Sequence, residues 1–318
     1  MTALTTVLHK TCASQKGRVT LFVVKQKLEE RLKEHGSELI TTQDFNDIAE
    51  EAEVGGDDVA VMRRSLHALG ICLWYDKIAD LENYVLNPGW ISYGVYKIIN
   101  WLGDKKIHGY EKYELHFDNF SKVFSKEEDV KRYLQDRHRF LFDLLIAYEL
   151  AYPVRGEENN KLVLPSLLSE LQPERGMENA YPIKDSLLMR YVVSGVIPIG
   201  TIARFIVRHH KEILVKNGLS MVWRRGVALR DGTGNEALVI EDGLEIRLYV
   251  KGKSAITFFD KLRSSLNDIF KSYQSDYPEL RYAIAITAHN KVIYVTDDFI
   301  FLLCQLAVNN YHLTSYKH

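Results

Sequence analysis

Gly252-Lys253-Ser254 is the one Gly-Lys-Ser in this chain, and cradling a phosphate is the chemistry it could serve. A phosphate loop needs Gly-x-x-x-x-Gly-Lys-[Ser/Thr], because backbone amides must wrap the phosphates and the lysine must reach them. Five residues upstream of Gly252 stands Arg247, inside a run that reads as a strand, so the tripeptide is expected to be a polar turn leading into a helix at Ser254. Eleven histidines raise the question of a metal. No pair has His-x-x-x-His spacing with an acidic neighbour, and Cys-x-x-Cys is missing, so no ligand set is assigned. His209 and His210 fall late in a helical run, where a protonated imidazole would suit the negative end of the helix dipole. The Gly-x-Ser-x-Gly elbow of an α/β-hydrolase is also missing. The expectation is a chain with no catalytic residue, no cofactor site and no metal site.

What remains is the chemistry of recognition. Arg204 and Arg208 stand four residues apart in a helical run and share a face. They could reach carboxylates on a partner; an ordinary solvated face is the alternative. Of the four tryptophans, Trp90 and Trp223 lie in apolar patterns and read as core. Trp101, at a helix end beside Gly103 and Asp104, is the better surface candidate.

The elements that must position these residues fall into two halves. Residues 1–23 are weakly patterned and read as a linker or the tail of a preceding domain. Apolar spacing then predicts a helix from Phe22 to Gly36, and Thr41 with Asp44 three residues on resembles a helix cap. A second helix runs to about Ala52. A third follows Asp57-Asp58 and stops at Gly70. Ile71–Tyr75 and Asn83–Pro88 read as two short strands, with a new helix behind Pro88. Helix, strand, polar loop, strand, proline is the outline of a winged-helix module. The same order returns in Arg137–Glu149, the run LAYPV, a GEENN turn and KLVLP.

Ser169–Asp185, with Pro173, Gly176 and Pro182, is the expected boundary. It gives a first subdomain over 24–171, a linker at 172–180 and a second subdomain over 181–318. Beyond it LLMRYVV, MVWRRGVAL, EALVIE, LEIRLYV, RYAIAITA and KVIYVT read as strands. DGTG at Asp231–Gly234 is a turn signal. TIARFIVRHHKEIL and AITFFDKLRSSLNDIFKSY read as helices, and a last helix is expected after Asp297-Asp298. The fold class is α+β: a helical first half with tandem winged-helix-like modules, then an antiparallel sheet with helices on one side.

Bulk properties narrow the function classes. The 318 residues, 46% of them hydrophobic, suffice for two cores. Lys plus Arg number 41 against 42 Asp plus Glu, so overall charge gives no reason to seek nucleic acid or an anionic membrane. Cys12, Cys72 and Cys304 fit free thiols in a reducing compartment. The apolar run Phe299–Val308 is too short to span a bilayer, and the N-terminus lacks a signal-peptide layout, so a cytoplasmic protein is expected. Nucleic-acid binding is the alternative function. The first module carries Glu50, Glu51, Glu53, Asp57 and Asp58 before its third helix, opposed by Arg63 and Arg64. The second offers Lys131, Arg132, Arg137, His138 and Arg139, diluted by Glu127, Glu128, Asp129 and Asp136.

Several runs also resemble a known family. Val85-Leu86-Asn87-Pro88 with Trp90 and the following GVYKII, the run LVLPSLL at Leu162–Leu168, the Pro198, Gly200, Arg204, Ile206, Arg208 series, and Trp223-Arg224 with Gly226 resemble, in order, the COR domain that follows the Roc GTPase in Roco proteins. The resemblance covers roughly Val24–Val295 and is closest to prokaryotic members. It implies a non-catalytic module that packs on a Roc GTPase domain through its first subdomain, forms a homodimer through its second, and transmits nucleotide state between them. Relatives often carry an aromatic residue two before the proline, facing the GTPase; this chain has Val196 there, which would leave that contact to packing. Val196, Ile199, Arg204, Arg208 and Trp101 are the candidate partner-interface residues. Cofactors and membrane contacts are not expected.

Overall fold

The computed structural model describes residues 15–34, 38–75, 84–104, 113–173, 186–194, 196–273, 281–288 and 291–295. The chain forms two compact units, Met1–Tyr110 with His116–Tyr148, and Glu111–Leu115 with Glu149–His318. Helices and antiparallel strands are mixed, which makes this an α+β protein.

In the first unit α1 (Gln15–Glu34) leads to β1 (Leu39–Thr41), α2 (Thr42–Glu51) and α3 (Asp57–Ala68). α1 starts at Gln15, ahead of the Phe22 predicted from periodicity. Gln15, Lys16 and Arg18 are good helix formers that apolar spacing does not register. Among its described side chains Val24 and Leu28 are buried, while Phe22, predicted on the apolar side, is 63% exposed. Thr41 caps α2 as expected: the Asp44 amide donates to Thr41 Oγ1 (3.0 Å) and the Thr41 amide donates to Asp44 Oδ2 (3.1 Å). α3 stops at Ala68, and Gly70 just beyond its Leu69 cap has a φ of +68°, the left-handed conformation that glycine tolerates best.

The expected strand pair that follows is reduced. Ile71–Tyr75 contributes a single bridge, Leu73 to Leu86, and β2 (Tyr84–Leu86) pairs instead with β1, Ile40 opposite Val85. The physical reason is length: three-residue strands carry no readable alternation, so a partner from far upstream was invisible. Asn87 accepts from the Gly89 amide (2.9 Å), and Pro88 sits in the first turn of α4 (Pro88–Gly103). Phe45, Ile48, Leu66, Cys72 and Val85 pack with Val24 and Leu28. Cys72 is a free thiol, and burial pushes its pKa up to about 12, so it is inert. Cys12 and Cys304 lie outside the described residues.

Next come β3 (Glu114–His116), α5 (Phe120–Val123), α6 (Glu127–Arg132) and α7 (His138–Ala147). Trp90 anchors this part from α4. It is fully buried, donates from Nε1 to Arg132 O (3.0 Å), and stacks on Tyr133, whose hydroxyl donates to Trp90 O (2.6 Å). Asp129 is buried and held by Lys97 at 2.9 Å.

The second unit takes up the chain at Glu149, ahead of the composition change at 169–185. Tyr152, Val163 and Leu168 explain this, because they pack in its core. β4 (Tyr152–Pro153) pairs with β5 (Lys161–Val163), and β3 lies on the other side of β5. A seven-stranded antiparallel sheet follows: β6 (Leu187–Ser194), β9 (Val222–Trp223), β10 (Gly226–Arg230), β11 (Glu236–Asp242), β12 (Glu245–Lys251), β13 (Arg281–Ala288) and β14 (Lys291–Val295). Its order is β14-β13-β6-β12-β11-β10-β9.

Alternation sorts the side chains of this sheet. Met189, Tyr191, Val193, Val227, Leu229, Val239, Ile246 and Leu248 meet α8 (Thr201–Arg208) and α9 (Ala255–Tyr273). Ala228, Leu238 and Tyr249 face the other way and are met by Leu214 and Met221, which flank the hairpin of β7 (Val215–Lys216) and β8 (Leu219–Ser220).

Two predictions change in this unit. MVWRRGVAL is two strands joined at Arg224-Arg225, Trp223 opposite Gly226. A Cβ on Gly226 would strike Trp223 Cζ2 and lie 2.6 Å from Val239 O, which is why the Trp-Arg-x-Gly core turns where it does. The helix predicted through Leu214 ends at Arg208, and His210–Glu212 is a 3₁₀ turn. The predicted final helix lies outside the described residues.

Candidate partner-binding surface

Gly252-Lys253-Ser254 is a turn into α9, as expected. A Cβ on Gly252 would run into Asn235 Oδ1, and that same oxygen accepts the Ser254 amide at 3.0 Å. The amide a phosphate would need is already used. Among the described residues no group of three His, Cys, Asp or Glu could hold a metal, and no helix is long and apolar enough to cross a membrane.

The segment before α8 carries two exposed apolar side chains on either side of a buried one. Ile197 is buried and anchors it, while Val196 is 78% exposed and Ile199 99% exposed. Gly200, at φ +90°, turns the chain into α8. The Thr201 hydroxyl donates back to Pro198 O (2.6 Å), and the Arg204 amide donates to Gly200 O (2.9 Å). The result is a fixed knuckle with two apolar side chains in solvent. Thr201, Ile202, Phe205 and Ile206 hold α8 to the core.

Arg204 and Arg208 do share a face, and within this unit they converge on one carboxylate. Arg204 Nε donates to Glu149 Oε2 (2.8 Å); Arg208 donates from Nε to Oε1 (2.6 Å) and from Nη2 to Oε2 (3.2 Å). Arg204 Nη1 also reaches Ser272 Oγ (2.8 Å). Burial pulls the Glu149 pKa upward, but the two guanidinium groups outweigh it and hold the carboxyl below its ordinary value. Glu149 adopts φ +57°, a conformation rare for a non-glycine residue. Sequence spacing placed the arginines correctly and gave no sign of their acid, which is 55 residues away from Arg204.

His209 sits at the C-terminal cap of α8. It is buried, its Nδ1 lies 2.9 Å from Glu212 Oε2, and burial draws its pKa down against the Glu212 contact. Glu212 in turn pairs with Lys261. His210 Nδ1 lies 2.8 Å from Val207 O. Trp90 and Trp223 are buried as predicted, and Trp101 is half-buried. The basic set of the second module is largely consumed by acids: Lys131 by Glu127, Arg132 by Glu38, Arg139 by Asp143. His138 is buried, with Nε2 3.0 Å from Tyr133 O.

This architecture offers surfaces and ion-pair scaffolding among its described residues. Family models agree with the resemblance in the sequence: "C-terminal of Roc, COR-A domain" matches residues 20–168 and "C-terminal of Roc, COR-B domain" matches residues 184–298. The chain belongs to the COR-domain family of Roco proteins. Similar proteins include a Roc-COR-CHAT protease from Runella zeae, 26% identical over 232 residues, covering 72% of this chain and 22% of that protein. A solved structure of Methanosarcina barkeri Roco2 RocCORdC bound to GDP is 30% identical, covers 47% of this chain and 43% of its own, and has a TM-score of 0.36. The chain thus spans about a fifth of the curated relative's length (22%). In these Roco relatives COR is linked to a Roc domain in the same chain.

Proposed function

We propose that this chain is the coupling and dimerisation module of a cytoplasmic, prokaryotic Roco protein, without catalysis of its own. It would pack on a Roc GTPase domain through its first subdomain and the Val196–Ile199 segment, and pair with a second copy through its second subdomain. The observation that carries the partner contact is the knuckle: two large apolar side chains, Val196 and Ile199, held almost wholly in solvent by a fixed backbone. Exposed apolar side chains on an ordered segment mark recognition sites. With valine in place of an aromatic residue, the contact to the GTPase rests on packing. Arg204 and Arg208 hold the knuckle's helix in place, and Trp101 is a further interface candidate.

The order helix, strand, polar loop, strand, proline, read twice in the sequence of the first 170 residues, is taken as tandem winged-helix-like modules, with 24–171 and 181–318 as the two sequence subdomains. Signal transmission follows from linkage. GTP can alter the dimer only by favouring one of two states of the Roc–COR contact.

The test uses the parent protein that carries both domains. Val196→Asp and Ile199→Asp together should weaken Roc–COR association at least tenfold, a loss of about 1.4 kcal/mol or more, while thermal stability of the isolated chain is unchanged. Association equal to wild type would refute the knuckle. Light scattering on the isolated chain should give a dimer; a strict monomer at high micromolar concentration would refute the dimer reading.

A further inference from the structure

Among the described residues, Arg63 on α3 has no carboxylate partner. Its guanidinium carbon lies 4.0 Å from the centroid of the Trp74 ring and 5.9 Å from that of Phe45. Its Nε is buried with no hydrogen-bond partner. Three other arginines of the first unit are matched: Arg31 with Glu51, Arg132 with Glu38, Arg139 with Asp143. Among the described residues no carboxylate pairs with Arg63, although it is half-buried.

A half-buried cation without an anion keeps much of its desolvation cost, which stacking on indole offsets only in part. Stacking also fixes the plane of the guanidinium, which makes its Nη edge a preset fork. Such a fork matches a carboxylate with two parallel hydrogen bonds and loses little side-chain freedom on binding. Arginine beside tryptophan is also the composition that dominates binding energy at protein interfaces.

We propose that Arg63 on Trp74 is the receptor for one carboxylate of an acidic side chain on another protein. The neighbouring charges set the ligand class. Asp57 and Asp58, both exposed, occupy the first turn of the same helix, and exposed Glu53 precedes it. A nucleic-acid backbone laid along α3 would meet those three acids, whereas a single carboxylate meets only the fork. Burial also draws the Arg63 pKa down, with Arg64 adding to it, as expected of a cation that lacks its counter-ion.

The experiment is an NMR titration of the whole chain, labelled with ¹⁵N, at fixed ionic strength. The reporters are the Arg63 Nε–H and Trp74 indole N–H signals, and the probes are N-acetylglutamate, inorganic phosphate and a short oligothymidylate. Saturable shifts at both reporters with N-acetylglutamate, weaker with either phosphate probe, support the proposal. Arg63→Gln should abolish them, and Arg63→Lys should weaken them about tenfold, since an ammonium cannot offer the planar fork. Shifts that do not saturate, that equal those of exposed Arg64, or that are stronger with phosphate or oligothymidylate would overturn it. A further arm replaces Asp76, Asp80 and Glu82 by their amides. A tenfold gain in response would show that an acid of this chain already holds the guanidinium, and would overturn the assignment to a partner.

Discussion

Glu149 is the residue whose removal says most about how the second unit is held together. Three charge-assisted hydrogen bonds meet at its carboxylate, from Arg204 and Arg208, each with about a quarter of its side chain exposed (26%). Deleting one partner of a fully buried ion pair costs about 3–5 kcal/mol, and of an exposed pair about 0.2–1 kcal/mol. Partial exposure places Glu149→Ala between these limits, at about 2 kcal/mol. The backbone supplies a second, opposite effect. Glu149 sits at φ +57°, where an L-residue is about 1 kcal/mol worse off than glycine. Glu149→Gly loses the same clamp but relieves that strain, so it should be only about 1 kcal/mol less stable than wild type. Urea unfolding gives the stabilities, and hydrogen exchange in peptides from α8 locates the change. The reasoning fails if Glu149→Ala lies within about 0.5 kcal/mol of wild type, or if the glycine variant is no more stable than the alanine variant.

The same clamp has a pH signature. The folded-state pKa of Glu149 is lowered by Arg208 and Arg204 against the upward pull of burial. Its stabilisation is therefore fully present above the ordinary glutamate value, about 4.3, and is lost as pH falls through the folded value. Glu149→Gln should remove that part of the acid sensitivity.

Gly226→Ala should cost about 2–3 kcal/mol by thermal melting, because its Cβ would collide with Trp223 and crowd Val239 O; a wild-type melting temperature would disprove the close approach. Asp129→Asn should cost about 3 kcal/mol in urea, since Asp129 is 1% exposed and leaves Lys97, 19% exposed, without its charge partner; a change below about 0.5 kcal/mol would show the pair to be incidental. Thr41→Ala removes the reciprocal cap of α2 and should cost about 1 kcal/mol, read by urea unfolding, with no loss if water replaces the hydroxyl.

Long, strongly patterned elements are legible in the sequence. α9 spans Ala255–Tyr273 as its amphipathic period predicts, and the turns at Asp231–Gly234 and Gly243 fall where glycine and aspartate demand them. Failures came where the signal is non-local or short. β1 has three residues and finds its partner after two intervening helices. The turn at Arg224-Arg225 carries no glycine or proline between its strands, so only the Trp223–Gly226 approach reveals it. At the candidate interface, helical spacing correctly put Arg204 and Arg208 on one face. It could not show Glu149, because a salt bridge between distant positions leaves no pattern in either.

That missing acid changes what the arginines contribute. Two solvated guanidinium groups would offer a partner charge; two satisfied ones offer it little, because breaking their bonds to Glu149 would offset the gain. Their effect passes instead into geometry. With Arg204 fixed to Glu149 and Ser272, and Thr201 bonded back to Pro198, the turn that carries Ile199 has little freedom left to lose. A surface ordered before contact spends less of its interaction energy on ordering. On the proposed reading, this lets a small apolar knuckle with valine at 196 engage a GTPase, and it makes the clamp at Glu149 as important to the contact as the side chains that touch the partner.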